Sequence, residues 1–220
     1  MLFDTHAHLN DPAFDPDRET LMNGLAAKGV GYVMNAGCSL ESSRDIVKMA
    51  EQYPWLYGSV GSHPDSADEV NEEVLEAYRQ MCKHPKVKAI GEIGLDYYYE
   101  DPPRDTQKKA FRMQLELVRQ VVAANPNVVA VTLSGRPLDL SDVDDLVPAI
   151  LHMWFPGTEG GSAAANLLFG KANPCGKLSM SFPKSVGQCP IYYNHYTTGR
   201  PKLEEDDLKR VLFTSSYIDS

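Results

Sequence analysis

Apolar and polar positions along the first 120 residues switch repeatedly between two periods. LFDTHAHL (residues 2–9) has the two-residue alternation of a strand, and DRETLMNGLAAKG (17–29) carries a helical stripe closing on Gly29. GVGYVMNAG (29–37) is predicted as a strand. SLESSRDIVKMAEQYP (39–54) follows as a helix capped by Ser39 or Ser42 and stopped before Pro54. LYGSVGSHP (56–64), NEEVLEAYRQMCKHP (71–85) and VKAIGEIGLDYY (87–98) give strand, helix and strand. RDTQKKAFRMQLELVRQVVAAN (104–125) gives a fourth helix with Phe111, Leu115, Val118 and Val122 on its apolar stripe. Four consecutive βα units predict a parallel sheet with right-handed crossovers.

After Asn125-Pro126 the texture changes. VVAVTLSG (128–135) is nearly continuous apolar sequence, as a buried parallel strand is. PAILHMWFP (148–156) reads as another strand and TEGGSAAANLLFG (158–170) as a short helix of small residues, with Glu159 placed to cap it. From Asn173 onward Gly, Pro and Tyr dominate, and the run Glu204–Asp207 reads as a solvated face or helix start.

Composition narrows the class. The 220 residues carry 21 basic and 30 acidic side chains, a net charge of −9, with 43% hydrophobic and 23% charged residues. That is the balance of a globular protein, not of a disordered or fibrous one. No apolar run reaches the roughly 18 residues of a membrane span, and no secretory signal is visible, so the expected location is cytoplasmic. An acidic surface opposes tight non-specific nucleic-acid binding, although a bound metal reverses the charge locally. Cys38, Cys82, Cys175 and Cys189 lack CxxC spacing and read as reduced thiols.

The sharpest chemical signal is Asp4-Thr5-His6-Ala7-His8 at the end of the first strand. Residues two apart on a strand share a face, so two imidazoles converge at the mouth of a parallel sheet, where they can hold a divalent metal. His63 in GSHP and Glu92 in AIGEIGLDYY end the third and fourth strands and reach the same mouth. Asp96 follows Glu92 by four, either orienting it or making a structural contact. Tyr97, Tyr98 and Tyr99 are read first as packing, with base stacking as the alternative.

MLFDTHAHLND, GSHPD, AIGEIGLDYYY and the helix FRMQLEL together resemble the TatD family of metal-dependent deoxyribonucleases over residues 1–117. The resemblance implies metal ligands His6, His8 and Glu92, with Glu92 bridging two metals and serving catalysis. It places His63 near the site without making it a core ligand. The implied cofactor is a divalent ion (Mg, Mn or Zn), weakly held, and the implied substrate is DNA. It then breaks: VTLSGRP has Ser134 where the family has a ligand histidine, and neither His152 nor His195 is expected to rebuild the site. Three of the family's core ligands are present and three are missing, so little or no activity is expected.

Residues 114–220, with NPNVVAVTLSGRPLDL, VPAILHMWFPGTEGGSAAANLLFG and NPCGKLSMSFPKSVGQCPIYYNH, resemble part of the C-terminal sandwich domain of glycoside hydrolase family 3. Neither Asp139 nor Glu159 matches a catalytic carboxylate of that family, and Arg136 is expected to be structural. QLELVRQV fits both families, so a crossover at about residues 113–120 preserves the helix. The expected organisation is a TatD-like half barrel over 1–117 and a glycosidase-like fragment over 118–220. The expected fold is α/β: four βα units like half a barrel, continued by a parallel α/β sandwich fragment. Six strands do not close an eight-stranded barrel. An open sheet, or two weakly docked half-domains of low stability, is predicted, with self-association through open edges. The competing readings are a carbohydrate-active fragment and a non-functional fusion.

Overall fold

A computed structural model describes residues 2–192 and residue 194. His195 and the run 204–207 lie outside the described residues. The chain divides into two compact units, Met1–Asn125 with Gly157–Asn173, and Pro126–Pro156 with the residues from Pro174.

In the first unit β1 (Leu2–Ala7), α1 (Arg18–Gly24), β2 (Val30–Asn35), α2 (Leu40–Gln52), β3 (Leu56–Val60), α3 (Glu72–Met81), β4 (Val87–Ile90) and α4 (Arg104–Ala124) follow in order. The four strands form one parallel sheet in the order β1-β2-β3-β4. Local signals set the boundaries. Gly29 accepts the left-handed conformation that ends the first helical segment, at φ 85°. Ser39, not Ser42, caps α2, its hydroxyl accepting from the Ser42 amide. Asn71 caps α3 through the Glu73 and Val74 amides. The core lies in two patches, one around Met22, Val33 and Leu56, the other around Val60, Leu75 and Tyr78.

Two expectations are corrected. The strand expected over 87–98 stops at Ile90, and residues 91–98 form a loop. The ladder gives out there: Gly91 N–H makes a last bond to the Val60 carbonyl of β3, and Glu92 N–H turns away to the Gly37 carbonyl. The buried face of α4 is also more polar than its stripe, because Gln107 and Gln114 are each only 2% exposed. Both amides replace missing backbone partners. Gln114 accepts from Ser62 N–H at 2.8 Å and donates to Ser62 O at 3.0 Å. Gln107 accepts from Asp96 N–H and donates to Pro102 O. Helix α4 runs unbroken through residues 113–120.

The second unit holds β5 (Ala130–Thr132) and β6 (Ile150–His152), a parallel pair in which Ala130 faces Ile150. Between them lies α5 (Ser141–Asp144), a single turn that the apolar pattern does not announce. Helix α6 (Gly160–Leu168) belongs to the first unit and packs on β1. Its small residues allow the approach: a Cβ on Gly161 would sit 3.5 Å from the Phe3 carbonyl oxygen, and Ala164 is buried. Glu159 occupies the N-cap position, but its side chain makes no capping bond. Among the described residues the strands are all parallel and neither sheet closes, so the architecture is an open, barrel-like α/β fold. Among the described residues no helix is long and apolar enough to cross a membrane. All four cysteines are free.

Candidate metal centre

Strand β1 carries His6 and the residue just past its end is His8, and the loop after β4 brings Glu92 to them from the far edge of the sheet. The Nε2 atoms of His6 and His8 are 3.1 Å apart, and Glu92 Oε2 lies 3.4 Å from the first and 3.9 Å from the second. A circle through these three atoms has a radius of about 2.0 Å, which is the length of a zinc–imidazole or zinc–carboxylate bond. The donor set therefore fits a divalent cation.

The tautomer of His8 supports the same fit. Its Nδ1 is 3.1 Å from the Ala36 carbonyl oxygen, which only accepts, so Nδ1 carries the proton. Nε2 of the neutral ring then presents a lone pair to His6 and Glu92. A carbonyl behind a ligating histidine fixes its orientation and raises its basicity. Asp4 accepts the His6 backbone N–H at 3.1 Å, holding the strand end. Asn35, fully buried, ties Leu9 N–H and Asn10 beside the histidines.

Electrostatics follow from this geometry without any metal. The Glu92 hydrogen bond raises the His6 pKa above its ordinary 6.5, with burial acting in the opposite direction. The same bond holds the Glu92 carboxyl below the usual range, again against burial, with further help from the fields of His6, His63 and His8.

His63 acts on Glu92 through its charge and is not one of the three converging side chains. Its N–H donates to the Cys38 carbonyl and its Nδ1 is 2.9 Å from Asp65. Asp96 accepts from Tyr98 N–H at 2.8 Å and so shapes the tyrosine loop. Ser134 and His152 belong to the second unit. His152 pairs with Thr132 at 2.8 Å and packs against Trp154 and Phe182; its Nε2 has no partner among the described residues. Sequence reasoning missed Ala36 and Asn35, whose roles are visible only once β2 is seated beside β1. The one available signal was that βα order makes these strands neighbours.

Residues 3–139 match the family described as TatD related DNase, a span that includes Ser134. The chain belongs to that family. The 3'-5' ssDNA/RNA exonuclease TatD of Cronobacter turicensis is 32% identical over 160 residues, 72% of this chain and 60% of that protein. The crystal structure of the TatD homologue YjjV from Escherichia coli superposes with a TM-score of 0.53 at 29% identity, covering 66% of this chain and 53% of that one. A second likeness accompanies the TatD one. The periplasmic β-glucosidase of Salmonella typhimurium is 49% identical over 192 residues, 87% of this chain but 24% of that protein. The chain thus fuses a TatD-like N-terminal region to a glycoside hydrolase family 3-like C-terminal region, and it spans between a quarter and three fifths of these two relatives.

Proposed function

We propose that this chain is a degenerate TatD-type metal-dependent phosphodiester hydrolase with little or no turnover. The TatD-like part runs over 1–117 and the glycosidase-like part over 118–220. The convergence of His6, His8 and Glu92 on one point carries this reading. These three would hold one divalent cation, Mg, Mn or Zn, and hold it weakly, because three protein ligands of a partly exposed site leave the remaining positions to water. Such a cation lowers the pKa of bound water and stabilises charge on the oxygens of a phosphodiester. The Ala36 carbonyl keeps His8 in the ligating tautomer, and the Gly37 carbonyl fixes the Glu92 backbone. DNA is the proposed substrate, held by the site itself, since a chain of net charge −9 gives no general attraction to phosphate. Free thiols fit a reducing, cytoplasmic location.

Calorimetric titration with Mn²⁺ is the test. The wild-type chain should bind one ion, and His6→Ala or Glu92→Gln should weaken binding at least about tenfold, as loss of a metal-supporting group does. Any cleavage of a labelled single-stranded oligonucleotide should vanish in His6→Ala. Binding unaffected by either substitution would overturn the assignment. The 49% identity to a β-glucosidase favours a second reading, a sugar-binding fragment. Oligosaccharides that leave the Tyr and Trp fluorescence unchanged would remove it.

A further inference from the structure

We propose that Tyr98 and Tyr99 form a stacking platform for the bases of a single-stranded nucleic acid whose backbone reaches the His6–His8–Glu92 cluster. The inference rests on the hydrolase reading above and names how its substrate is gripped. Packing, the simpler expectation for the three tyrosines, holds for Tyr97 alone: it is half-buried, with the Arg104 guanidinium 4.7 Å from its ring centre. Tyr98 and Tyr99 are 84% and 65% exposed, side by side, with ring centroids 4.8 Å apart and planes at 87°. Aromatic rings of this size ordinarily bury most of their area, so two left open on one loop are available for a partner.

The backbone that carries the platform is held before any ligand arrives. Asp96 accepts the Tyr98 N–H, and the buried Gln107 accepts the Asp96 N–H at 2.9 Å. Ordering a ligand on a fixed surface costs less than ordering both. Tyr98 lies six positions after Glu92, so the two are at most about 20 Å apart along the backbone, within the reach of a few nucleotides. Arg104 beside Tyr97 supplies a cation for phosphate in a chain that is otherwise acidic. Single strands are specified because a duplex keeps its base faces stacked inside, whereas a free base offers a π-face to a tyrosine ring.

The experiment measures fluorescence anisotropy of an eight-nucleotide oligothymidylate and of an abasic strand of equal length, on the full chain in EDTA. Tyr98→Ala and Tyr99→Ala should each weaken oligothymidylate binding about tenfold, with the phenylalanine variants at wild-type affinity. The abasic strand should bind poorly and be indifferent to all four changes. Equal affinity of wild-type and alanine variants, or of the two strands, overturns the proposal, as does preferential tyrosine-dependent binding of a gluco-oligosaccharide. The two readings fail separately. Tyrosine-dependent binding by a chain that takes up no Mn²⁺ in the titration keeps the platform and removes the hydrolase reading. Mn²⁺ binding lost in His6→Ala with oligothymidylate affinity unchanged in Tyr98→Ala does the reverse.

Discussion

The His6–Glu92 pair behaves oppositely with and without metal, and the sign is fixed by its two shifts. His6 is raised above 6.5, so its contribution to the metal-free fold is full below pH 6.5 and is lost as pH rises through its folded value. Glu92 is lowered below 4.5, so its contribution is full above 4.5 and is lost as pH falls through its folded value. The metal-free chain should therefore gain from the pair at about pH 4.5–6.5. With the side chains 50% and 37% exposed, that gain lies within the ~0–1 kcal/mol of a solvated ion pair. A cation needs His6 unprotonated, so the shift in Tm produced by Mn²⁺ should grow as pH rises above 6.5. Thermal melts with and without Mn²⁺ at pH 5.5, 7 and 8 check this; a metal-induced shift largest at pH 5.5 would contradict it. A second prediction at this scale concerns Gln114, whose amide serves both Ser62 backbone groups. Gln114→Ala leaves two buried groups unpaired and should cost about 2–6 kcal/mol in urea unfolding, from ~1–3 kcal/mol for each.

At the scale of elements, the βα alternation was legible because each strand and helix has its own apolar period and its own cap. The loop carrying Glu92 was not legible as a loop. AIGEIGLDYY alternates like a strand, and the ladder ends only where Gly91 makes its last bond to Val60 and Glu92 turns to Gly37. Those bonds join segments more than 30 residues apart, which periodicity does not sense. Gln107 and Gln114 were invisible for the same reason, since a buried amide looks like a surface residue until its backbone partner is known. The site histidines were legible because they are two residues apart at the end of one short strand, whereas the Ala36 carbonyl that fixes His8 has no side-chain signature. Helix α6 offers a test of packing by small residues. Cβ contacts of 3.5–3.9 Å at Gly161 are ordinary, so Gly161→Ala should be tolerated or stabilise slightly through helix propensity. Ala164 is 4% exposed, and Ala164→Leu should cost about 1–3 kcal/mol by overpacking. Equal denaturation midpoints for the two variants would show that α6 does not bear closely on β1.

At the scale of the whole molecule, unremarkable composition conceals a sheet that ends too early. Among the described residues, four strands in one sheet and two in another leave β1, β4, β5 and β6 each with an edge that no strand pairs. Unpaired edges recruit other strands. Along β5 and its flanks, Val129, Val131 and Leu133 share one face by the two-residue period, and all are more than 40% exposed. An apolar strip beside open backbone groups favours association over solvation. Light scattering should show mass rising with protein concentration, and Val131→Lys should suppress the rise by placing charge on the strip. The same openness divides the core into small pieces, so heat should unfold the chain over a broad range, with a calorimetric enthalpy exceeding the van't Hoff value. A monomer at every concentration that melts in one sharp, calorimetrically two-state transition would mean that the two regions complete each other. In that case the missing strands of the barrel would no longer explain a weak site, and the absent ligands alone would have to.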